Sequence, residues 1–183
     1  MKTLFIDTHQ ANIDIILFED LNIIREKHLL NEKQNSKYMV PMIKEVCPDK
    51  DFDEIIVVSG PGSFTGVRLG ITIAKTLAYT LNKTIKPVSY FDLMSYSTDE
   101  NEHIFGLSDG NGYFIGKYNN YKKEEDYYYL SNLQYTDFIK NNNVETDVVI
   151  DYIKVLKHVK NSKGVNPHSV KPLYVKLIGV EKW

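Results

Sequence analysis

Asp7 and Thr8 close the first apolar run of the chain, and a carboxylate beside a hydroxyl at a strand end suits contact with a phosphate or with magnesium-bound water. Asp109-Gly110 opens a turn in the second half and places another carboxylate at a hairpin. Between them lies Ser59-Gly60-Pro61-Gly62-Ser63-Phe64-Thr65-Gly66, a glycine-rich link from a strand into a helix. Backbone N–H groups and the helix dipole favour an anion at such a link. No Lys-Ser or Lys-Thr pair follows its last glycine, so it is not a Walker loop, and the glycine spacing does not fit a dinucleotide fingerprint. Two roles stay open for Gly62 and Ser63: a phosphate contact shared with Asp7 and Thr8, or a tight structural turn.

Other chemistries find less support. The histidines at 9, 28, 103, 158 and 168 include no pair at the i, i+3 or i+4 spacing that puts two imidazoles on one helical face. No metal site is expected. Cys47 is the single cysteine, so no internal disulfide forms, and it reads as a small core hydrophobe. Ser63 lacks the G-x-S-x-G elbow of a serine nucleophile, because Pro61-Gly62 precede it and Phe64-Thr65 follow.

These residues need elements to hold them. Thr3 to Ile6, Ile13 to Phe18 and Ile23 to Leu29 read as a three-stranded meander. Tyr38, Met39, Met42, Ile43 and Val46 then fall at helical spacing, with Pro41 inside the helix. Ile55 to Val58 is a β-branched run suited to a strand buried on both faces. Ser63 or Thr65 caps the next helix, which is expected to run to about Leu81. Along it Gly66, Gly70, Ala74 and Ala78 recur every fourth residue, a ridge without bulk that lets another backbone approach.

Ile85 to Val88 follows as a strand and Tyr90 to Ser97 as a short helix after Ser89. A second block opens with His103 to Leu107 and Tyr113 to Tyr118, joined by the turn Asp109-Gly110-Asn111-Gly112. Tyr127 to Leu130, Val148 to Ile150 and Leu173 to Leu177 are expected strands, Thr136 to Lys140 a helical turn, and Tyr121 to Asp126 and Asn141 to Thr146 loops. The order is βββαβα with a shorter second block, which divides the chain at residues 1–98 and 99–183.

With 183 residues and 43% hydrophobic content the chain can fill a core. No run approaches the roughly 20 apolar residues of a membrane span, and the first ten residues have no signal-peptide pattern, so a cytoplasmic protein is expected. A formal net charge of -2 argues against a stand-alone nucleic-acid binder. From Tyr152 onward, however, seven lysines (154, 157, 160, 163, 171, 176 and 182) face Glu181 alone. That segment either approaches RNA or an acidic partner, or is a solvated face.

Gly60 to Gly70, GPGSFTGVRLG, followed by Ala74-Lys75-Thr76-Leu77-Ala78, closely resembles the hallmark of the TsaB (YeaZ) family. The resemblance extends through Ile6-Asp7-Thr8, Ser36 to Ile43, Val88 to Leu93 and Pro172 to Lys176, nearly the whole chain. It implies an actin-like (ASKHA), two-lobed α/β fold, with a first lobe at 1–98 and a reduced, lysine-tailed second lobe at 99–183. It implies a non-catalytic partner of TsaD, the catalytic subunit, with TsaE as an accessory ATPase. That complex transfers a threonylcarbamoyl group to the adenosine beside the anticodon, so tRNA is met through the complex. It brings no cofactor to this chain and implies like-pairing when the chain is alone.

The family's pairing surface uses the two first-lobe helices. Its outward candidates here are Tyr38 and Met42 on the first and Thr72, Lys75, Thr76 and Tyr79 on the second, with Met39, Ile43, Ile73 and Leu77 facing the core. Two departures stand out. Ser108-Asp109-Gly110-Asn111 replaces an Asp-Ala-Arg-Arg-like turn, and the second block is short. The alternative is a small actin-like ATP-dependent phosphotransferase using Asp7 and Asp109 with magnesium. Against it, only Gly164 and Gly179 follow Gly116, too far apart for an adenosine-holding pair.

Overall fold

The structure is a computed structural model that describes residues 1–30 and 35–176. Its elements in chain order are β1 (Lys2–Asp7), β2 (Ile13–Glu19), β3 (Asn22–Leu29), α1 (Asn35–Val46), β4 (Glu54–Val58), α2 (Phe64–Thr80), β5 (Thr84–Val88) and α3 (Tyr90–Ser97). Then come β6 (Glu102–Ser108), β7 (Gly112–Asn119), β8 (Lys122–Lys123), β9 (Tyr128–Ser131), α4 (Asn132–Phe138) and α5 (Tyr152–Val159). Strands β1 to β3 form the antiparallel meander, and β4 and β5 add in parallel to give the order β3-β2-β1-β4-β5. A second sheet is built on the β6-β7 hairpin, with β8 and β9 both pairing with β7. It repeats the antiparallel part of the first sheet and has no parallel strand among the described residues.

Every residue of β4 is buried, as a strand covered on both faces requires. On one face α1 and α2 bring Met39, Ile43, Val67 and Ile71 onto Leu4, Ile6, Ile55 and Val57. On the other, α3 and α5 bring Leu93, Val155, Leu156 and Val159 onto Phe5, Ile16 and Ile56. At eight residues α5 is too short to be stable alone. Burying its three apolar side chains at roughly 1.5–3 kcal/mol each holds it on the sheet.

Lys86 adds a polar fastening on that side. Its Nζ lies 2.8 Å from Glu54 Oε2 and donates to the carbonyls of Val159 and Lys160 at the end of α5. Thr3 donates to the other Glu54 oxygen at 3.0 Å. The pair is buried yet fully engaged, so it fixes where α5 ends.

The small-residue ridge of α2 faces the sheet, with Gly66, Gly70, Ala74 and Ala78 all buried. A β-carbon on Gly66 would overlap the Thr8 carbonyl oxygen, and one on Gly70 would overlap Thr8 Oγ1. Into the space left by both glycines Thr8 donates its hydroxyl to the Gly66 carbonyl at 2.7 Å. The two glycines therefore seat the helix against the end of β1.

Several expectations are corrected. Val148 to Ile150 is not a strand: the outer edge of β6 takes a single bridge, at Glu145, and Val149 beyond it is 87% exposed. Leu173 to Lys176 is not a strand either, its tie to the first sheet being Leu173 N–H to the Ser59 carbonyl at 2.7 Å; Leu177 lies outside the described residues, as do Gly179, Glu181 and Lys182. The helical turn expected at Thr136 to Lys140 starts earlier, because Ser131 and Gln134 form a capping box. Lys122–Lys123 pairs with β7 inside an expected loop, and α5 had no counterpart in the expected elements.

Gly66→Ala tests the seating of α2. Alanine gains up to about 1 kcal/mol of helix propensity, but the overlap with Thr8 costs about 1–3 kcal/mol. A net loss of stability is expected in urea unfolding, and an unchanged or raised midpoint would contradict the close approach.

Candidate functional site

The end of β1 and the start of α2 meet at the glycine turn. Gly62 sits at φ +154, and a β-carbon there would overlap the His9 carbonyl oxygen. That carbonyl accepts the Ser63 N–H at 2.6 Å. Ser63 caps α2 by accepting the Gly66 N–H at 3.3 Å. Asp7 is buried, and its Oδ1 accepts the His9 N–H at 2.9 Å and lies 2.8 Å from His9 Nδ1. The His9 ring stacks on Tyr90 at 3.7 Å, while its Nε2 is buried without a hydrogen-bond partner among the described residues. Burial, with the charges of Asp7 and Asp14, pushes the Tyr90 hydroxyl up to about 12, so it stays protonated.

The structure thus brings Asp7, Thr8, Gly62 and Ser63 together, but each is engaged in holding the turn. Thr8 is committed to Gly66 and Asp7 to His9.

Asp109 lies across a half-open cleft of about 420 Å³ whose lining includes Gly62 and Ser63 but neither Asp7 nor Thr8. Its Oδ1 accepts from Tyr129 at 2.7 Å and from the Asn111 and Gly112 N–H groups at 2.9 and 3.0 Å. Lys176 Nζ is 3.2 Å from the other oxygen. Burial works against the charged carboxylate, but these donors outweigh it and hold Asp109 below its ordinary range. Among the described residues no group of three His, Cys, Asp or Glu is placed to hold a metal ion.

On the outer side of α2, Thr72 and Thr76 are exposed and Tyr79 is 66% exposed. Ile73 and Leu77 are partly buried against the core. On α1 Tyr38 is exposed, but Met42 is 3% exposed and packs inside with Met39 and Ile43. The expected outward position of Met42 is therefore corrected: it shares the apolar stripe that faces the sheet.

The unforeseen feature of this face is a strap from Gly164 to Lys176. Val165 N–H bonds the Ile85 carbonyl, Val170 is buried, and Pro167–Ser169 makes a short 3-10 turn beside α2. Lys75 Nζ donates to the carbonyls of His168 and Val170, at 3.4 and 3.0 Å, and Tyr79 meets the His168 ring edge-on at 5.0 Å. Lys75 is thus an anchor of the strap, while Thr72, Thr76 and Tyr79 remain presented. Further along, Arg68 lies 3.6 Å over the Phe64 ring and donates to the Tyr174 hydroxyl at 2.6 Å. The i, i+4 spacing of Phe64 and Arg68 was visible in the sequence, whereas nothing local marked residues 106 or so positions apart as neighbours.

A family model described as TsaD, tRNA N6-adenosine threonylcarbamoyltransferase, matches residues 30–126. The tRNA threonylcarbamoyladenosine biosynthesis protein TsaB of Bacillus subtilis (strain 168) is 35% identical over 112 residues, 58% of this chain and 48% of that protein. The protein of the same name from Escherichia coli (strain K12) is 31% identical over 83 residues, 43% of this chain and 36% of that protein. The chain spans about half, or less, of the length of these relatives. YeaZ from Pseudomonas aeruginosa matches with a TM-score of 0.76 at 15% identity, covering 94% of this chain and 100% of that one. A second solved chain, an uncharacterized protein with similarity to peptidase YEAZ from Pseudomonas aeruginosa, gives a TM-score of 0.78 at 14% identity, covering 96% and 99%. At that identity the likeness concerns the fold, which is of the actin-like α/β class.

Lys75→Met tests the anchoring of the strap. Losing two hydrogen bonds of roughly 0.5–1.5 kcal/mol each should speed amide exchange at Ser169 and Val170 about tenfold or more and lower the thermal midpoint by a few degrees. Unchanged exchange there would show that Lys75 does not hold the strap.

Proposed function

Because the chain belongs to the TsaB (YeaZ) family, we propose that it serves tRNA threonylcarbamoyladenosine biosynthesis as a partner subunit that supplies no catalytic group. Its partner is a TsaD-type transferase, which it binds and activates, with a TsaE-type ATPase as accessory. tRNA is met through that complex. The observation that carries the proposal is the exposed strip of α2, where Tyr79 is 66% exposed on a helix whose opposite side is wholly buried. A large aromatic held out on a rigid helix is a typical anchor of a protein interface.

In this scheme residues 1–98 form the partner-facing lobe and 99–183 the reduced second lobe. Thr72, Thr76, Tyr79 and Tyr38 meet the partner, and Lys75 contributes by fixing the strap beside them. The same strip pairs two copies when the transferase is absent. No described helix is long and apolar enough to cross a membrane, and a cytoplasmic setting follows from the proposed role.

What weighs against the phosphotransferase alternative is the use already made of its two carboxylates. Asp7 is taken by His9 and Asp109 by Tyr129, Lys176 and backbone N–H groups. A phosphate would have to displace these bonds, and the only side-chain cation among the described residues of the cleft lining, Lys176, is already paired. The family model carries the transferase's name and one structural neighbour is likened to a peptidase; neither activity is proposed for this chain.

Reconstitution with the TsaD-type and TsaE-type subunits should lose tRNA modification when this chain is left out. Modification that persists would sink the partner role. Tyr79→Asp should weaken capture of the TsaD-type subunit by about thirtyfold or more, as loss of an interface anchor worth about 2 kcal/mol implies.

A further inference from the structure

The cleft that a phosphate is ill-suited to enter has a consistent chemistry of its own. One wall is the start of α2, with Phe64 and Val67; the opposite wall is Phe114 of β7 and Asp109 of the β6-β7 turn; the strap closes the third side with Tyr174 and Lys176. The volume, about 420 Å³, falls in the range of small-molecule sites, and most of the lining is aromatic or aliphatic.

The aromatic wall is set in place before any ligand arrives. Phe64 and Tyr174 lie 5.5 Å apart between ring centres, and Arg68 fastens both, lying over the Phe64 ring and donating to the Tyr174 hydroxyl. Phe114 is buried and packs against Tyr129 at 5.1 Å. Rings held this way lose little freedom when a flat molecule slides between them.

The polar end of the cleft is neutral but unevenly satisfied. Lys176 and Asp109 cancel one another at 3.2 Å, so neither a polyanion nor a cation is favoured. Asp109 Oδ1 already accepts three hydrogen bonds, from Tyr129, Asn111 and Gly112. Its Oδ2 has one partner among the described residues, Lys176. Oδ2 thus carries one donor against three on Oδ1, and its second lone pair is open to another.

From this we propose that the cleft is a binding site for a small, flat, uncharged aromatic molecule carrying one N–H or O–H donor, of the indole or phenol type. The ring lies against Phe64, Phe114 and Tyr174, and the donor meets Asp109 Oδ2. A nucleotide is disfavoured on charge, since its phosphates would face Asp109 while the one side-chain cation among the described lining residues, Lys176, is already paired with it. The site is independent of the partner surface, which lies further along α2 around Thr72, Thr76 and Tyr79. It stands whether or not the partner role does.

Indole and benzofuran are the probes, because they share shape and ring area and differ in whether the five-membered ring donates or accepts. Titrated into the isotope-labelled full chain and followed by amide chemical shifts, indole should saturate in the sub-millimolar to millimolar range, as expected for so small a ligand. The perturbed amides should be those at 62–67 and 109–114. Benzofuran should bind about tenfold or more weakly, the value of a hydrogen bond to a charged acceptor.

Phe64 is 42% exposed, so Phe64→Ala is expected to fold and to weaken indole severalfold. Asp109→Asn should erase the preference for indole over benzofuran, a ratio that a modest loss of stability does not mimic. No saturable shift with indole, equal affinity for the two probes, or a preference that survives Asp109→Asn would overturn the proposal. So would displacement of indole by ATP with magnesium, which would mark the cleft as a nucleotide site.

Discussion

The fold turns on a space too small for a β-carbon. Thr8 at the end of β1 sits beneath Gly66 and Gly70, donates its hydroxyl to the Gly66 carbonyl, and leaves no room for larger residues at either position. Because α2 is pinned there, its buried ridge and its exposed strip are both determined. The glycine turn upstream is fixed by the same strand end, through the His9 carbonyl and the Ser63 N–H. A motif that has the look of an anion cradle is, in this chain, chiefly the device that seats a helix.

Much of this was legible in the sequence, and what was not has a physical explanation. The four-residue spacing of Gly66, Gly70, Ala74 and Ala78 announced close packing, the apolar runs from Thr3 to Leu29 announced the meander, and the Asp109-Gly110 turn announced the β6-β7 hairpin. The buried place of Met42 was not legible, because α1 carries apolar residues around more than half its circumference and spacing alone cannot choose its inner side. Nor was α5, whose eight residues hold only three buried side chains among lysines. Tertiary contacts with Phe5, Ile16 and Ile56 make it a helix that propensity would not have sustained.

The strap escaped for a different reason. Its bonds run to residues some 90 positions away, as Lys75 to His168 and Val170 show, and it uses single backbone bonds rather than a ladder that would impose a period. It nonetheless shapes both of the proposed surfaces. At one end it lies beside Tyr79 on the outer strip of α2, and at the other it supplies Tyr174 and Lys176 to the cleft. The second sheet, built on the β6-β7 hairpin, contributes Phe114 and, at its turn, Asp109 to that cleft, and the outer face of α2 is left to the strap.

The partner role is tested most directly by hydrogen–deuterium exchange on the full chain with and without the TsaD-type subunit. The account predicts that added protection concentrates on α2 from Thr72 to Thr80 and on the adjoining strap at 166–170, leaving the β6-β7 sheet unchanged. Protection confined to the β6-β7 sheet, or none at saturating partner, would contradict it.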